Sequence, residues 1–273
     1  MNWLSFKQAV TTPHIDLPRT ALLYARNIAY PELDIDHVLA QIDHFAQDAR
    51  NQIPPNVPVR DRAEAVSTYL FAKCGFRGNA LNYSDPRNSF LNDVIERRLG
   101  IPITLAVFYI AVAQRLEIPA YGIGMPGHFI VGVDTEVGAL LLDPFHNGVW
   151  LSQQDCVALV QQTTGYRGAF QSHWLEKTPE KEILIRMLNN LRLVYSSLER
   201  WQLALKTIQH LRLVAPAVAE FIRDEGLINF QLGRLPQAAV LLEQYLQRKP
   251  QAADAAVIKE KIGPQLNQWA RLN

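Results

Sequence analysis

The sequence predicts an α+β protein: a helical domain carrying a small antiparallel sheet, then an all-α region of repeated helix pairs. Three observations carry that reading. Residues 103–113 form a near-continuous apolar run, longer with its flanks than an ordinary strand, and Pro102 fits a first helical turn. Three short strand-like pieces follow it, residues 120–124, 128–133 and 139–142. Further on, the chain repeats itself at an offset of 34 residues.

Residues 17–30 and 34–50 carry helical apolar spacing, with Ile35, Val38, Leu39, Ile42 and Phe45 on one face and Asp34 as N-cap. Residues 51–58 hold three prolines and form a loop. A third helix spans residues 60–74, ending near Gly75. An irregular segment over 77–88 leads into a helix from about Ser89 to Leu99, stopped by Gly100. The run 103–113 is apolar on every side, so it is buried all round, and it is too short to cross a membrane. Asp134 to Gly138 makes a hairpin connection between the second and third strand-like pieces. LSQQDCVALV reads as a helix, and residues 164–180 as a connector anchored by His173 and Trp174.

In the last third, Leu198, Trp201 and Ala204 align with Leu232, Leu235 and Ala238, Leu211 with Tyr245, and Pro216 with Pro250. A 34-residue period with a small residue in the second helix and a closing proline is the tetratricopeptide pattern. Two repeats bury too little alone, so residues 252–272 are expected to form a capping helix. The expected organisation is a core over residues 1–163, a connector over 164–180, and repeats with their cap over 181–273.

Length allows two domains, and 48% apolar residues allow a substantial core. The net charge of +1 argues against a general nucleic-acid binder. From Lys181 onward there are 13 Lys/Arg against 8 Asp/Glu, and before it 14 against 18. That asymmetry reads as an ordinary solvated helical surface, and more sharply as a basic docking face. Two cysteines are too few for a disulfide framework. The first residues lack a signal-peptide pattern and no 18-residue apolar run occurs, so a cytoplasmic protein away from membranes is expected.

His128 opens one strand-like piece and Asp143 ends the next. Antiparallel pairing would bring imidazole and carboxylate together, the arrangement in which a carboxylate fixes a histidine tautomer and raises its basicity. A nucleophile completing such a triad belongs at the N-terminus of the apolar helix, where the helix dipole lowers a thiol pKa. Thr104 stands there; a threonine hydroxyl is a poor nucleophile, and capping is its commoner role. Cys74 ends a helix, the wrong end of the dipole, and Cys156 has Asp155 beside it. Asn88 and Asn92 can supply polar contacts, and His146 follows Asp143 closely. His14, His37 and His44 show no metal-ligand spacing, so neither metal nor cofactor is expected. Gly122, Gly124 and Gly127 lack the helix that a phosphate loop requires.

An apolar helix, then Ile118-Pro119-Ala120, then a strand opened by His128 and a strand ended by Asp143-Pro144, resembles the transglutaminase-like (papain-like) core. With Asn88-Ser89, Gly100-Ile101-Pro102-Ile103 and Met125-Pro126-Gly127-His128-Phe129, the pattern is similar to the SirB-type bacterial family, which joins that core to tetratricopeptide repeats. The resemblance implies a Cys-His-Asp triad with His128 and Asp143 in the last two places. The cysteine would fall near Pro102, Ile103 or Thr104, and none is there, which removes the acyl-enzyme route. Two functions from different classes follow. One is a non-catalytic, regulatory pseudoenzyme that binds a protein or peptide through its repeats. The other is a cysteine-independent hydrolase or acyl-transferase using His128 and Asp143.

Overall fold

The computed structural model describes residues 3–264, which divide between Met187 and Leu188 into two units. The first unit begins with four helices: Trp3–Thr11 (α1), Leu17–Ile28 (α2), Ile35–Arg50 (α3) and Val59–Ser67 (α4). Asp16 and Asp34 cap α2 and α3, each carboxylate accepting an N–H three residues on, from Arg19 and His37, at 3.0 Å. That satisfies one of the donors every helix start leaves open. The expected helix over 60–74 is present but changes pitch, continuing from α4 as a π-helical turn, Thr68–Lys73.

The segment after Gly75 is irregular apart from a two-residue strand, Arg77–Gly78 (β1), and a 3-10 turn, Pro86–Ser89. The helix that follows is shorter than expected, Leu91–Arg97 (α5). Phe90 is extended, and Arg98 rather than Gly100 ends the helix, in a left-handed conformation (φ 59°) with its N–H on Val94 C=O. Gly100 instead lies in a short strand, Leu99–Gly100 (β2), parallel to β1. The stop came from backbone geometry at an arginine, which residue type alone does not signal.

Pro102–Arg115 (α6) is the interior helix, and every residue from Pro102 to Ala113 is buried. Phe108 meets Phe76 at 4.5 Å and Phe45 edge-on at 5.4 Å between centroids. Tyr109, fully buried, donates its hydroxyl to Ala63 C=O at 3.0 Å, which tethers α4 to α6. Burial pushes that phenol above its ordinary pKa, so it remains a donor.

Beyond α6 the strands Ala120–Ile123 (β3), Ile130–Thr135 (β4), Gly138–Asp143 (β5) and Val149–Leu151 (β6) form one antiparallel sheet in sequence order. The β4–β5 turn is tighter than expected: Asp134, Thr135 and Gly138 belong to the strands, leaving Glu136 and Val137 as the loop. The edge strand β6 was not foreseen. Gln153–Thr164 (α7) opens on a reciprocal cap, Ser152 Oγ accepting from Asp155 N–H and Asp155 Oδ2 from Ser152 N–H. Its Cys156 and Val160 pack with Ile123, Met125 and Ile130, and Phe170, Trp174 and Leu175 cover that cluster.

The division into units falls within Glu180–Ser197 (α8). In the second unit follow Trp201–Val214 (α9), Ala219–Gln231 (α10) and Leu235–Arg248 (α11). Helices α9 and α11 start and stop 34 residues apart. Their entries correspond too: Glu199 and Gly233 are left-handed, and the N–H groups of Arg200 and Arg234 bond back to Tyr195 and Asn229 C=O. The small residues Ala204 and Ala238 are both fully buried, as the close packing of a helix pair requires. Of the expected capping helix, Ala255–Val257 (α12) and a π-helical turn, Ile258–Ile262, are present, and residues beyond 264 lie outside the described ones. Among the described residues no helix is long and apolar enough to cross a membrane.

Candidate functional site

The β4–β5 register sets the site. Val131 pairs with Leu142, so the turn before β4 and the last residue of β5 reach the same end of the hairpin. His128 stands in that turn, two residues before the strand rather than at its start, and its Nε2 lies 2.8 Å from Asp143 Oδ2. Two positive-φ glycines build the flanks. A Cβ on Gly127 (φ 71°) would meet Thr163 Oγ1 at 2.4 Å, and one on Gly148 (φ 69°) would meet Phe71 at 2.1 Å, so each turn admits only glycine. Arg186 of α8 secures the first turn by donating to Met125 C=O (3.0 Å) and His128 C=O (2.6 Å) while lying over the Phe129 ring.

Asp143 has no exposed surface. Its Oδ1 accepts the N–H groups of Phe145 (2.9 Å) and His146 (3.3 Å). Its Oδ2 faces two imidazoles, His128 and, at 2.7 Å, Nδ1 of His146. Burial alone would raise this carboxyl, but hydrogen bonding and charge from His128, then from His146, outweigh it and hold it below the usual aspartate value. The His128 side chain is only 5% exposed and meets Phe145 edge-on, whereas that of His146 is 54% exposed. Nε2 of His128 is committed to the carboxylate, and no described residue hydrogen-bonds its Nδ1.

The remaining sequence candidates lie elsewhere in the hydrogen-bond network. Thr104, fully buried, donates its hydroxyl to Asn88 C=O (2.7 Å) and accepts from Ile101 N–H (3.2 Å), which makes it a cap on α6. Thr104→Val should therefore lower stability by about 1–3 kcal/mol, because it leaves a buried donor and acceptor unpaired. Thr104→Ser should keep most of it, as urea unfolding of the two variants would show. Asn88 organises the loop before it: its amide donates to Asn82 and Tyr83 C=O, and its oxygen accepts from Asn79. Asn92 lines a separate groove with His37, His44, Phe45 and Arg98, where its Oδ1 is buried without a hydrogen-bond partner among the described residues.

Neither cysteine hydrogen-bonds His128 or Asp143. Cys74 follows the π-helical turn, and Cys156 is fully buried in α7. Burial, then Asp155 and Asp143, push the Cys156 thiol up to about 11, so it stays protonated at neutral pH. His146 joins the pair more closely than its place in a loop suggests. The available signal was Asp143-x-x-His146 in a loop directly after a strand end, a spacing that lets a turn fold the ring back onto the carboxylate.

An interior helix, an antiparallel sheet carrying a His–Asp pair at one hairpin end, and 34-residue helical repeats define a transglutaminase-like protein extended by tetratricopeptide repeats. Residues 36–189 match the model of the Transglutaminase-like superfamily, and residues 191–263 match a Tetratricopeptide repeat model. A UPF0162 protein of Xylella fastidiosa (strain Temecula1) is 36% identical over 248 residues, covering 90% of this chain and 88% of the relative. The chain belongs to this UPF0162 family, the SirB-type proteins. A UPF0162 protein of Pseudomonas aeruginosa is 28% identical over 86% of this chain and 84% of its own. F-box only protein 21 of Pongo abelii is 23% identical over 67% of this chain but 30% of its own length.

Proposed function

We propose that this protein is a non-catalytic transglutaminase-like factor that acts by binding a protein or peptide through its repeats, in a regulatory role inside the cell. The observation that carries the reading is at the start of α6. The place of a nucleophile holds Thr104, whose hydroxyl is buried and bonded to backbone, and neither cysteine hydrogen-bonds His128. The His–Asp pair without a nucleophile then serves structure or ligand binding.

Support for the interaction role comes from the second unit. Leu205 of α9, Asn229 of α10 and Arg234, Val240 and Leu241 around α11 line a groove, with Val240 55% exposed. Four of the basic side chains there are held in ion pairs within the unit. Arg192 pairs with Asp224, Arg212 with Glu225, Arg223 with Asp224 and Asp254, and Lys249 with Glu220.

The test uses the full chain as bait in the source cell, comparing wild type, Val240→Glu and His128→Gln. A partner retained by His128→Gln and lost with Val240→Glu supports the reading. A partner profile indifferent to Val240→Glu sinks it.

One observation favours a second reading, hydrolysis without cysteine. With Nε2 held by Asp143 and Nδ1 without a hydrogen-bond partner among the described residues, His128 is oriented as a base that can act on water. Chromogenic ester, thioester and amide substrates discriminate the two. Turnover by wild type that falls at least about 100-fold in His128→Gln would establish the enzyme.

A further inference from the structure

We infer that His128, Asp143 and His146 form a binding site for one divalent first-row transition ion of the Zn²⁺ or Fe²⁺ kind. The inference is independent of the interaction role. The three donor atoms Nε2, Oδ2 and Nδ1 all lie within 4.8 Å of one another. The two nitrogen–oxygen edges are 2.8 and 2.7 Å. An ion at about 2.0–2.1 Å from each ligand needs all three edges at roughly 3 Å, so the two nitrogen–oxygen edges open slightly and the nitrogen–nitrogen edge, within 4.8 Å here, closes by a turn of the His146 ring. His146 is the half-exposed member, which makes it the ligand free to adjust.

Charge and solvation point the same way. A carboxylate with no exposed surface presents one oxygen to two imidazoles. Without an ion, both rings must direct an N–H at that single oxygen. With an ion, each ring turns its inner lone pair to the metal and carries its proton on the outer nitrogen instead, Nδ1 of His128 and Nε2 of His146. Both inner lone pairs and the carboxylate then converge on one cation. Nδ1 of His128 has no competing hydrogen bond among the described residues, so it is free to take that proton.

The surroundings are those of a supported site. Oδ1 is fixed by two backbone N–H groups, the outer-shell restraint that orients a ligating carboxylate. Arg186 fixes the backbone of the first ligand, and the Gly148 turn, closed by its N–H on Asp143 C=O at 2.9 Å, fixes the loop of the third. Two imidazoles and a carboxylate select Zn²⁺, Fe²⁺ or Co²⁺ over Mg²⁺ or Ca²⁺, which prefer all-oxygen shells. Three protein ligands with one on the surface leave positions for water or a small anionic ligand. Sequence spacing hides the set because its first member is fifteen residues from the second, beyond any local ligand motif.

The full chain, stripped with EDTA and desalted, should bind one equivalent of Zn²⁺ by calorimetry. With Co²⁺ it should develop visible bands without a thiolate charge-transfer band. His146→Ala, a change at a half-exposed side chain that should leave the circular dichroism unchanged, should weaken Zn²⁺ binding by about 100-fold or more. Asp143→Asn should do at least as much, and a His37→Ala/His44→Ala double variant should bind as wild type. Absence of saturable Zn²⁺ or Co²⁺ binding overturns the inference, as does a sulfur signature or a folded His146→Ala protein that binds as tightly as wild type.

Discussion

Replacing Phe108 with alanine should cost about 3–5 kcal/mol of stability, and the loss should be confined to unfolding of the first unit. The ring is 1% exposed and lies midway along α6, against Phe76 and edge-on to Phe45 of α3. Phe45 in turn meets Phe76 edge-on at 5.5 Å, so the three rings form a closed set. Truncation removes contact with both rings and leaves a void that flanking elements cannot fill by small shifts. Phe108→Leu keeps most of the volume and should cost well under half as much. Hydrogen exchange resolved by peptide checks the location: amides of α3 and α6 should lose protection, while those of α9 to α11 keep theirs. Equal loss in both sets would show that the two units unfold as one.

The sequence exposed this core because the physics there is one-dimensional. Eleven nearly continuous apolar residues admit only burial on all sides, and every residue from Pro102 to Ala113 is buried. The repeats were legible for a similar reason. An offset of 34 residues matches the entries and exits of α9 and α11, since each helix pair must present the same small residue and the same turn to its neighbour. What stayed hidden depends on backbone conformations that side-chain type barely constrains. Arg98 takes the left-handed position that Gly100 was expected to provide, and Glu199 does the same where its counterpart is Gly233. The meeting of His128 and Asp143 followed from strand pairing. The distinction between His146, which joins them, and Asn92, which faces another groove, depends on loop geometry that no periodicity encodes.

Acidification from pH 7 to pH 5 should destabilise the second unit by about 2 kcal/mol through a single buried histidine. His210 lies in α9 with no exposed surface, its Nδ1–H donating to Lys206 C=O at 2.7 Å. Burial, partly offset by that hydrogen bond, and the nearby Lys206 charge press its pKa from the ordinary 6.5 down to about 4. The folded state therefore holds His210 neutral across a range in which the unfolded chain takes up a proton. Stability is full above about pH 6.5 and falls as pH drops toward 4, reaching a loss of about 3 kcal/mol there. The depressed carboxyls in the second unit, Glu220 and Asp254, act in another window. Their contribution is present above the ordinary carboxylate range and is lost only as pH falls below about 4. Urea unfolding at pH 7.5 and 5.0, with hydrogen exchange to assign it to α9–α11, reads the effect. His210→Leu should start from a different stability because it loses the bond to Lys206, yet its change between the two pH values should shrink by about 2 kcal/mol. An unaltered pH dependence in that variant would mean that another group governs the acid response, and that His210 is protonated without opening the repeat.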